Sequence, residues 1–583
     1  MTGAGNRWRS GAEEPCRRQT TSITGMRPPC DEATIRSGIA SSPCRGDTAA
    51  WVLTATIVAS SMAFVDGTVV NIALPALQSS FGANVVSVQW VVESYGLTLS
   101  ALILVGGSMG DLFGRRLLFL LGVGLFGIAS VVCGLASSVQ QLIVARAVQG
   151  IGAAFLVPGS LALIGASFEE SERGRAIGTW SGSTAITTAI GPVLGGWLIE
   201  HLSWRWAFLI NLPLAAAVIV ITLWRVPESR SKQQGGVDWW GTIAAILSLA
   251  GLVFGFIEST SLGWKHPLVL GSLLAGAICL CAFPLIEARV GSPMVPLGLF
   301  RSRAFSGANL LTLFLYAAIG IFFFLLPLNL IQVQGYTSTA AGGAVLPLIL
   351  LMFLLSRWSG GLVDRYGARL PLTIGPVIVA SGFFLFSVPS AGGSYWSTFF
   401  PPVVVLGFGM AVSVAPLTTV VMESVDRDRV GTASGINNAA ARVAGLLAIA
   451  VFGVVMVAQF SSHLNRLLSN VTMPGDVRTE LQSNESRLAA LKAPDGVEPA
   501  TATAIESAIV ASFVLSFRVM MWICTALALA SAAVAWRMLP GRISLKVAPH
   551  LSSERRQVST HITSVPTQAN GNQPSDSATT LDS

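Results

Sequence analysis

Charge is what this chain has least of. Only 11% of its 583 residues are Asp, Glu, Lys or Arg, while 52% are hydrophobic, and mean hydropathy is +0.66. A water-soluble fold of this size needs more polar surface than that, so a soluble globular protein is excluded. Histidine is also scarce. The five (His201, His266, His463, His550 and His561) fall in loops or the tail, which argues against metal or nucleophile chemistry within the membrane, and no enzyme is expected. There is no GxxxxGK[ST] loop, so ATP is not the evident energy source. No CxxC pair occurs. Cys16, Cys30 and Cys44 lie in an N-terminal tail without a neighbouring histidine, and Cys133, Cys279, Cys281 and Cys524 lie within apolar runs. No metal site is expected from them. The net charge of +7 is scattered between apolar runs rather than gathered in a stripe, which favours a lipid bilayer over nucleic acid as the partner. The first 50 residues hold seven Arg and no long apolar stretch. They read as a flexible cytoplasmic tail rather than a cleaved secretory signal, with Met26 an alternative start.

What the chain has in abundance is long apolar runs. About 20 apolar residues cross a bilayer as a helix. Fourteen such spans are predicted, at about 51–73, 88–108, 117–136, 141–164, 176–198, 207–224, 240–261, 267–286, 306–328, 338–356, 371–390, 399–420, 433–458 and 514–536. Basic residues fall in alternate loops: Arg115/Arg116, Arg173/Arg175, Arg225/Arg230/Lys232, Arg289/Arg301/Arg303, Arg365/Arg369 and Arg427/Arg429, with Arg205 and Lys265 as exceptions. The positive-inside rule then puts both termini in the cytoplasm, and Arg537, Arg542 and Lys546 agree. Trp51, Trp90, Trp204, Trp224, Trp264 and Trp536 sit near run ends, as an interfacial belt requires. A polar extracytoplasmic loop is expected at 460–512, and a disordered tail beyond about 541.

Two short stretches repeat each other. Gly107-Ser-Met-Gly-Asp111-Leu-Phe-Gly114-Arg115-Arg116 and Gly360-Gly-Leu-Val-Asp364-Arg365-Tyr-Gly367-Ala-Arg369 each join two apolar runs. Duplicated halves around a central site are a usual construction for secondary transporters. Asp364 follows Asp111 by 253 residues. Removing two spans and their loops leaves a separation suited to six plus six. The expected organisation is a tail (1–50), a six-helix half (51–224), a linker with two extra spans (225–290), a second six-helix half (291–540) and a terminal tail (541–583).

Four signatures then occur in order: Asp66-Gly-Thr68-Val-Val-Asn71-Ile-Ala73-Leu-Pro75, the first hairpin, Arg146-Ala-Val-Gln149-Gly150-Ile-Gly152, and Gly191-Pro192-Val-Leu-Gly195-Gly196 followed by Trp204-Arg205-Trp206 and Asn211-Leu-Pro213. On these, the chain from about 51 to 540 resembles the major facilitator superfamily, specifically its fourteen-span drug:proton antiporters of the EmrB/QacA type. The resemblance implies an all-α membrane protein with the major facilitator fold, two six-helix halves plus two extra central transmembrane helices. It further implies export of amphipathic small molecules by alternating access, drawing on the proton gradient with no cofactor. A dedicated metabolite or siderophore exporter is the alternative. A bacterial inner-membrane location and a monomer are expected, and the need for a periplasmic adaptor stays open.

Charges inside hydrocarbon are costly, about 2.5–3.5 kcal/mol on insertion scales, so they must face protein or water. Asp66, Glu93 and Arg146 all count into the outer half of the membrane at about 1.5 Å per residue, which makes an Arg–carboxylate contact feasible. A carboxylate there, Asp66 foremost, is a candidate proton carrier whose acidity Arg146 would adjust. The resemblance assigns proton coupling to Arg146 and proton or substrate handling to Asp66. Glu93 has no such counterpart and stands as a proton-coupling or cation-recognising group. In the hairpins, Gly107, Gly114, Gly360 and Gly367 permit close approach and sharp turning, while Asp111, Arg115, Arg116, Asp364, Arg365 and Arg369 are candidate gate charges. The first copy departs from the family pattern at Leu112, where a basic residue is usual. Gly191, Pro192, Gly195 and Gly196 predict a kink and a tight outer seal, which the resemblance marks as an antiporter motif. Arg442 reads equally as a helix anchor or a substrate contact, and Phe322–Phe324 as cavity lining or lipid-facing.

Overall fold

The computed structural model describes residues 47–230, 238–425 and 429–541. The rest of both tails, Lys232, Arg427 and the side chains of Asp111 and Asp364 lie outside the described residues. Among those described, the chain has no strand, and fourteen helices are long and apolar enough to cross a membrane. These are α1 (Asp47–Phe81), α2 (Val85–Phe113), α3 (Arg115–Gly134), α4 (Val139–Ser167), α5 (Glu170–His201), α6 (Trp206–Arg225), α7 (Trp239–Leu262), α8 (Pro267–Glu287), α9 (Arg303–Leu328), α10 (Ser338–Ser356), α11 (Arg369–Phe386), α12 (Phe400–Glu423), α13 (Val430–Leu468) and α14 (Pro499–Met538). Helices are the outcome physics demands, because lipid offers no partner for an unpaired backbone amide. Several begin on a side-chain cap: Asn84 for α2, Ser138 for α4, Asp238 for α7, Ser302 for α9 and Thr337 for α10.

The duplication is visible as packing. In the first half α2 and α3 pack on α4, α1 packs on α5 and α6, and α3 packs on α6. Each pair recurs with both numbers raised by eight: α10 and α11 on α12, α9 on α13 and α14, α11 on α14. The offset of eight is the six helices of one half plus the inserted α7 and α8. Helix α7 lies against both α2 and α13, bridging the two halves, whereas α8 packs chiefly on α7 and presents Leu274 and Ile278 outward. Small residues permit the closest contacts. A methyl at Gly150 of α4 would stand 2.4 Å from the Tyr95 carbonyl of α2, and one at Gly152 would stand 2.6 Å from the Phe126 amide of α3.

The expected loop at 460–512 is much shorter in the structure. Helix α13 continues to Leu468 and α14 begins at Pro499. Phe460, Leu464 and Leu468 on one, and Ile505 and Ile509 on the other, are buried at helical spacing. That stripe holds the helices together outside the apolar core, but polar neighbours dilute it in any hydropathy window. The segment between forms a cap. A helix at Gly475–Ser483 and a 3-10 turn at Glu485–Ala490 bury Leu481, Leu488 and Leu491, and the turn packs on the outer ends of α1, α2, α13 and α14. Leu488 has φ of +53° yet is only 1% exposed, so burial holds it in a conformation that non-glycine residues avoid.

Candidate functional site

Asp66 on α1 and Arg146 on α4 meet inside the first half. The Arg146 guanidinium donates Nη1–H to Asp66 Oδ2 at 2.5 Å, with the two residues 0% and 1% exposed. Gln149, one turn along α4, ties the pair together: its Nε2 donates to Asp66 Oδ1 at 2.9 Å and its Oε1 accepts from Arg146 at 2.7 Å. Asn211, in the second turn of α6, donates to Asp66 Oδ1 at 3.3 Å. Ser130 of α3 accepts from both amides, at 2.7 Å from Gln149 and 3.1 Å from Asn211. Arg146 Nε donates to the Val91 carbonyl of α2 at 3.1 Å, and the Tyr95 ring lies 4.1 Å from the guanidinium carbon. Both carboxylate oxygens thus have donors, as a buried charge requires. By depth the sequence allowed Arg146 to meet Asp66 or Glu93, and the structure pairs it with Asp66. No role was expected of Gln149 and Asn211, although both stand in the quoted motifs, and polar amides in apolar runs were the available signal. Tyr95 and Ser130 carried none.

Glu93 does not join this network. It is 0% exposed, and neither carboxylate oxygen has a hydrogen-bond partner. Arg442 is half-buried on α13 near Tyr95 and makes no ion pair among the described residues. Phe322 and Phe324 are buried in the core, Phe322 against Phe383 and Phe386, so neither faces lipid.

The two halves meet tightly at the ends nearest the cap. A methyl on Gly191 would stand 2.2 Å from Thr68 Oγ1, and one on Gly195 2.6 Å from Val69, both on α1. Gly196 faces the Ser338 carbonyl of α10, and Gly342 of α10 faces the Pro192 carbonyl. Glu200 Oε2 accepts from the Thr339 amide at 3.1 Å, and Gln332 Nε2 donates to Gln78 Oε1 at 2.7 Å. The Gly-Pro signature therefore packs on α1 and across the seam between the halves, with the seam shut at the end nearest the cap. At the opposite end of the bundle, the first turns of α5 around Arg173 and Arg175, Leu354 near the end of α10 and Trp358 just beyond it are exposed.

The hairpins are built differently from expectation. Gly114 (φ +120°) and Gly367 (φ +77°) make the turns, but Gly107 and Gly360 face open space or ordinary contact. Close approach falls to Gly106, where a methyl would stand 2.1 Å from the Ala154 carbonyl. Arg116 Nη2 donates to the Leu223 carbonyl at 2.9 Å, and Arg369 Nε to the Leu539 carbonyl at 2.9 Å. These positions match in the repeat, and each arginine caps the end of the sixth helix of its own half. The Arg116 and Arg369 contacts each lie within one half. Arg365 lies over the Tyr366 ring at 5.3 Å. Glu228, which the sequence did not single out, accepts from the Arg116 and Leu117 amides at 3.0 and 3.1 Å, an anion at the N-terminus of α3.

Two six-helix repeats about a seam, with charge buried inside one half, define a polytopic secondary transporter. The Major Facilitator Superfamily model matches residues 56–449, and the chain belongs to that family, with fourteen spans as in its drug:proton antiporter type. Multidrug resistance protein Stp of Mycobacterium tuberculosis is 37% identical over 407 residues, covering 69% of this chain and 75% of that protein. The tetracenomycin C resistance and export protein of Streptomyces glaucescens is 33% identical over 429 residues, covering 73% and 79%. Among solved structures, a bacterial homologue of the human lysosomal transporter Spinster, inward-facing, aligns with a TM-score of 0.57 at 18% identity, over 86% of this chain and 100% of that one. A D-xylose–proton symporter aligns at 0.54 and 14% identity, over 85% and 99%. These likenesses bear on the fold. The chain is a multi-pass membrane transporter, not an enzyme.

Proposed function

We propose that this protein is a proton-coupled antiporter that exports amphipathic small molecules from the bacterial cytoplasm, working as a monomer in the plasma membrane with both termini inside. The observation that carries the reading is the Asp66–Arg146 pair, sealed in the first half beside a closed outer seam. Protonation of Asp66 removes the charge that Arg146 faces and frees the guanidinium, so proton uptake and conformational state are linked. Relatives named for multidrug, tetracenomycin C and lincomycin resistance support efflux as its direction. One proton entering contributes about 2.3 kcal/mol per 100 mV and about 1.4 kcal/mol per pH unit, enough for about a tenfold to thousandfold gradient with one or two protons.

Ethidium transport in proteoliposomes under an imposed pH gradient tests this. Gradient-driven transport is expected in the parent protein and not in Asp66→Asn or Arg146→Ala. Unchanged transport in both variants overturns the coupling assignment. Drug-sensitivity profiles with and without the gene separate a broad exporter from one dedicated to a single metabolite.

A further inference from the structure

Glu93 is a buried acid that the Asp66 network does not use. Its surroundings follow from the register of α2. Gln89 Nε2 donates to the Ile449 carbonyl of α13 at 2.8 Å, and a methyl on Gly96 would meet Leu446 of α13. Trp90 Nε1 donates to Glu258 of α7 at 2.7 Å, and Leu97 packs in the same cluster as Val253 and Ile257 of α7. Residue 93 lies one turn from each of these pairs, on the face between them. Glu93 is therefore placed where α2, the bridging helix α7 and α13 of the opposite half converge, against an apolar cluster of Val253, Ile257, Leu446 and Ala450.

The charged and titratable groups on the helices around α2 are otherwise engaged or out of reach. Asp66 of α1 and Arg146 of α4 pair with each other, and Glu258 of α7 accepts from Trp90 and Ser261. Arg442 of α13 lies toward Tyr95, and Cys133 of α3 donates to Gln149. None makes an ion pair or hydrogen bond with Glu93 among the described residues. An ionised carboxylate without donors is not accommodated in such a place, whereas a neutral acid is.

We propose that Glu93 is a second proton-binding site, loaded from the outer side, whose occupation is required for the outer ends of the two halves to close. When α2 and α13 part, the carboxylate meets water and ionises. When they close, it takes a proton and is buried against α7. This rests on the transport reading above but uses a different group from Asp66. It also gives the inserted α7 a task, because α7 supplies one wall of the pocket.

The test is a distance measurement between spin labels at Ser80→Cys and Ala340→Cys, on the outer ends of α1 and α10, in a background free of native cysteines and in lipid nanodiscs. In the parent, the closed-to-open ratio is expected to rise as pH falls, by at most about tenfold per pH unit for this proton. Glu93→Gln is expected to stay closed and lose that response, and Glu93→Asp to keep it. If Asp66→Asn alone abolishes the response and Glu93→Gln retains it, the proposal is overturned while the antiport reading stands. If the parent shows no pH response, this proposal fails. Infrared spectroscopy gives a readout independent of motion. The carbonyl band of a protonated acid in the closed protein is expected to shift in Glu93→Asp and vanish in Glu93→Gln. A band unchanged by both overturns the assignment.

Discussion

Asp66 is held by donors from two other helices, and the amides that hold it also meet at Ser130 of a third. Gln149 does the most, touching Asp66, Arg146 and Ser130 at once. Removing it leaves Asp66 short of a donor and Arg146 short of an acceptor. A hydrogen bond to a charged group contributes about 1.5–3 kcal/mol, so Gln149→Leu is expected to lower gradient-driven ethidium transport by about tenfold or more. Initial rates in proteoliposomes, normalised to reconstituted protein, check this. Asn211→Leu removes a longer bond to the same oxygen and is expected to cost less. That the carboxylate and the arginine share a depth was legible from counting residues along apolar runs. Which amides complete the site was not, because residues from four helices converge only once the helices have packed.

At the scale of elements, the outer seam depends on glycines that no other residue can replace. A side chain at Gly196 would meet the Ser338 carbonyl at 2.3 Å, a backbone atom that cannot turn aside. Gly196→Val is therefore expected to hold the outer side open. Maleimide labelling of a cysteine at Gln78, buried in the closed seam, should rise several-fold, and transport should fall. The hairpins make a separate prediction. Glu228 caps α3 and fixes the end of α6 to the first hairpin, so Glu228→Ala is expected to lower stability by about 1–2 kcal/mol, read as a drop in the detergent-solubilised unfolding temperature. The repeat itself stands out in the sequence because it is a local pattern of Gly, Asp and Arg. That its arginines cap the sixth helix of each half does not, because Leu223 and Leu539 are distant in the chain and contribute only carbonyls.

For the whole molecule, alternating access requires that the outer contacts break in each cycle. Gln78 and Gln332 join the two halves across that seam at 2.7 Å, and line a cavity of about 750 Å³ together with Glu480, Arg487 and Lys492 of the cap. A disulfide between Gln78→Cys and Gln332→Cys, in a cysteine-free background, is expected to abolish ethidium export by at least about tenfold. A reductant should restore it. Ethidium binding, measured by fluorescence anisotropy, should persist in the crosslinked protein. Transport that continues in the crosslinked protein would show that this seam does not open.

By itself the sequence determined the solvent, the number of spans and the duplication, because hydropathy, span length and a repeated motif are properties of residues close together in the chain. It narrowed the partners of Arg146 to Asp66 and Glu93 as well, since charge is so rare in these runs that few pairings exist. Only the tertiary structure decided the rest. It separated Glu93 from that pair, set it on the seam beside α7, gave Gln149 and Asn211 their task and folded the outer loop into a cap. Those outcomes depend on helix rotation and on which faces meet, and rotation is set by close packing among small residues far apart in the chain.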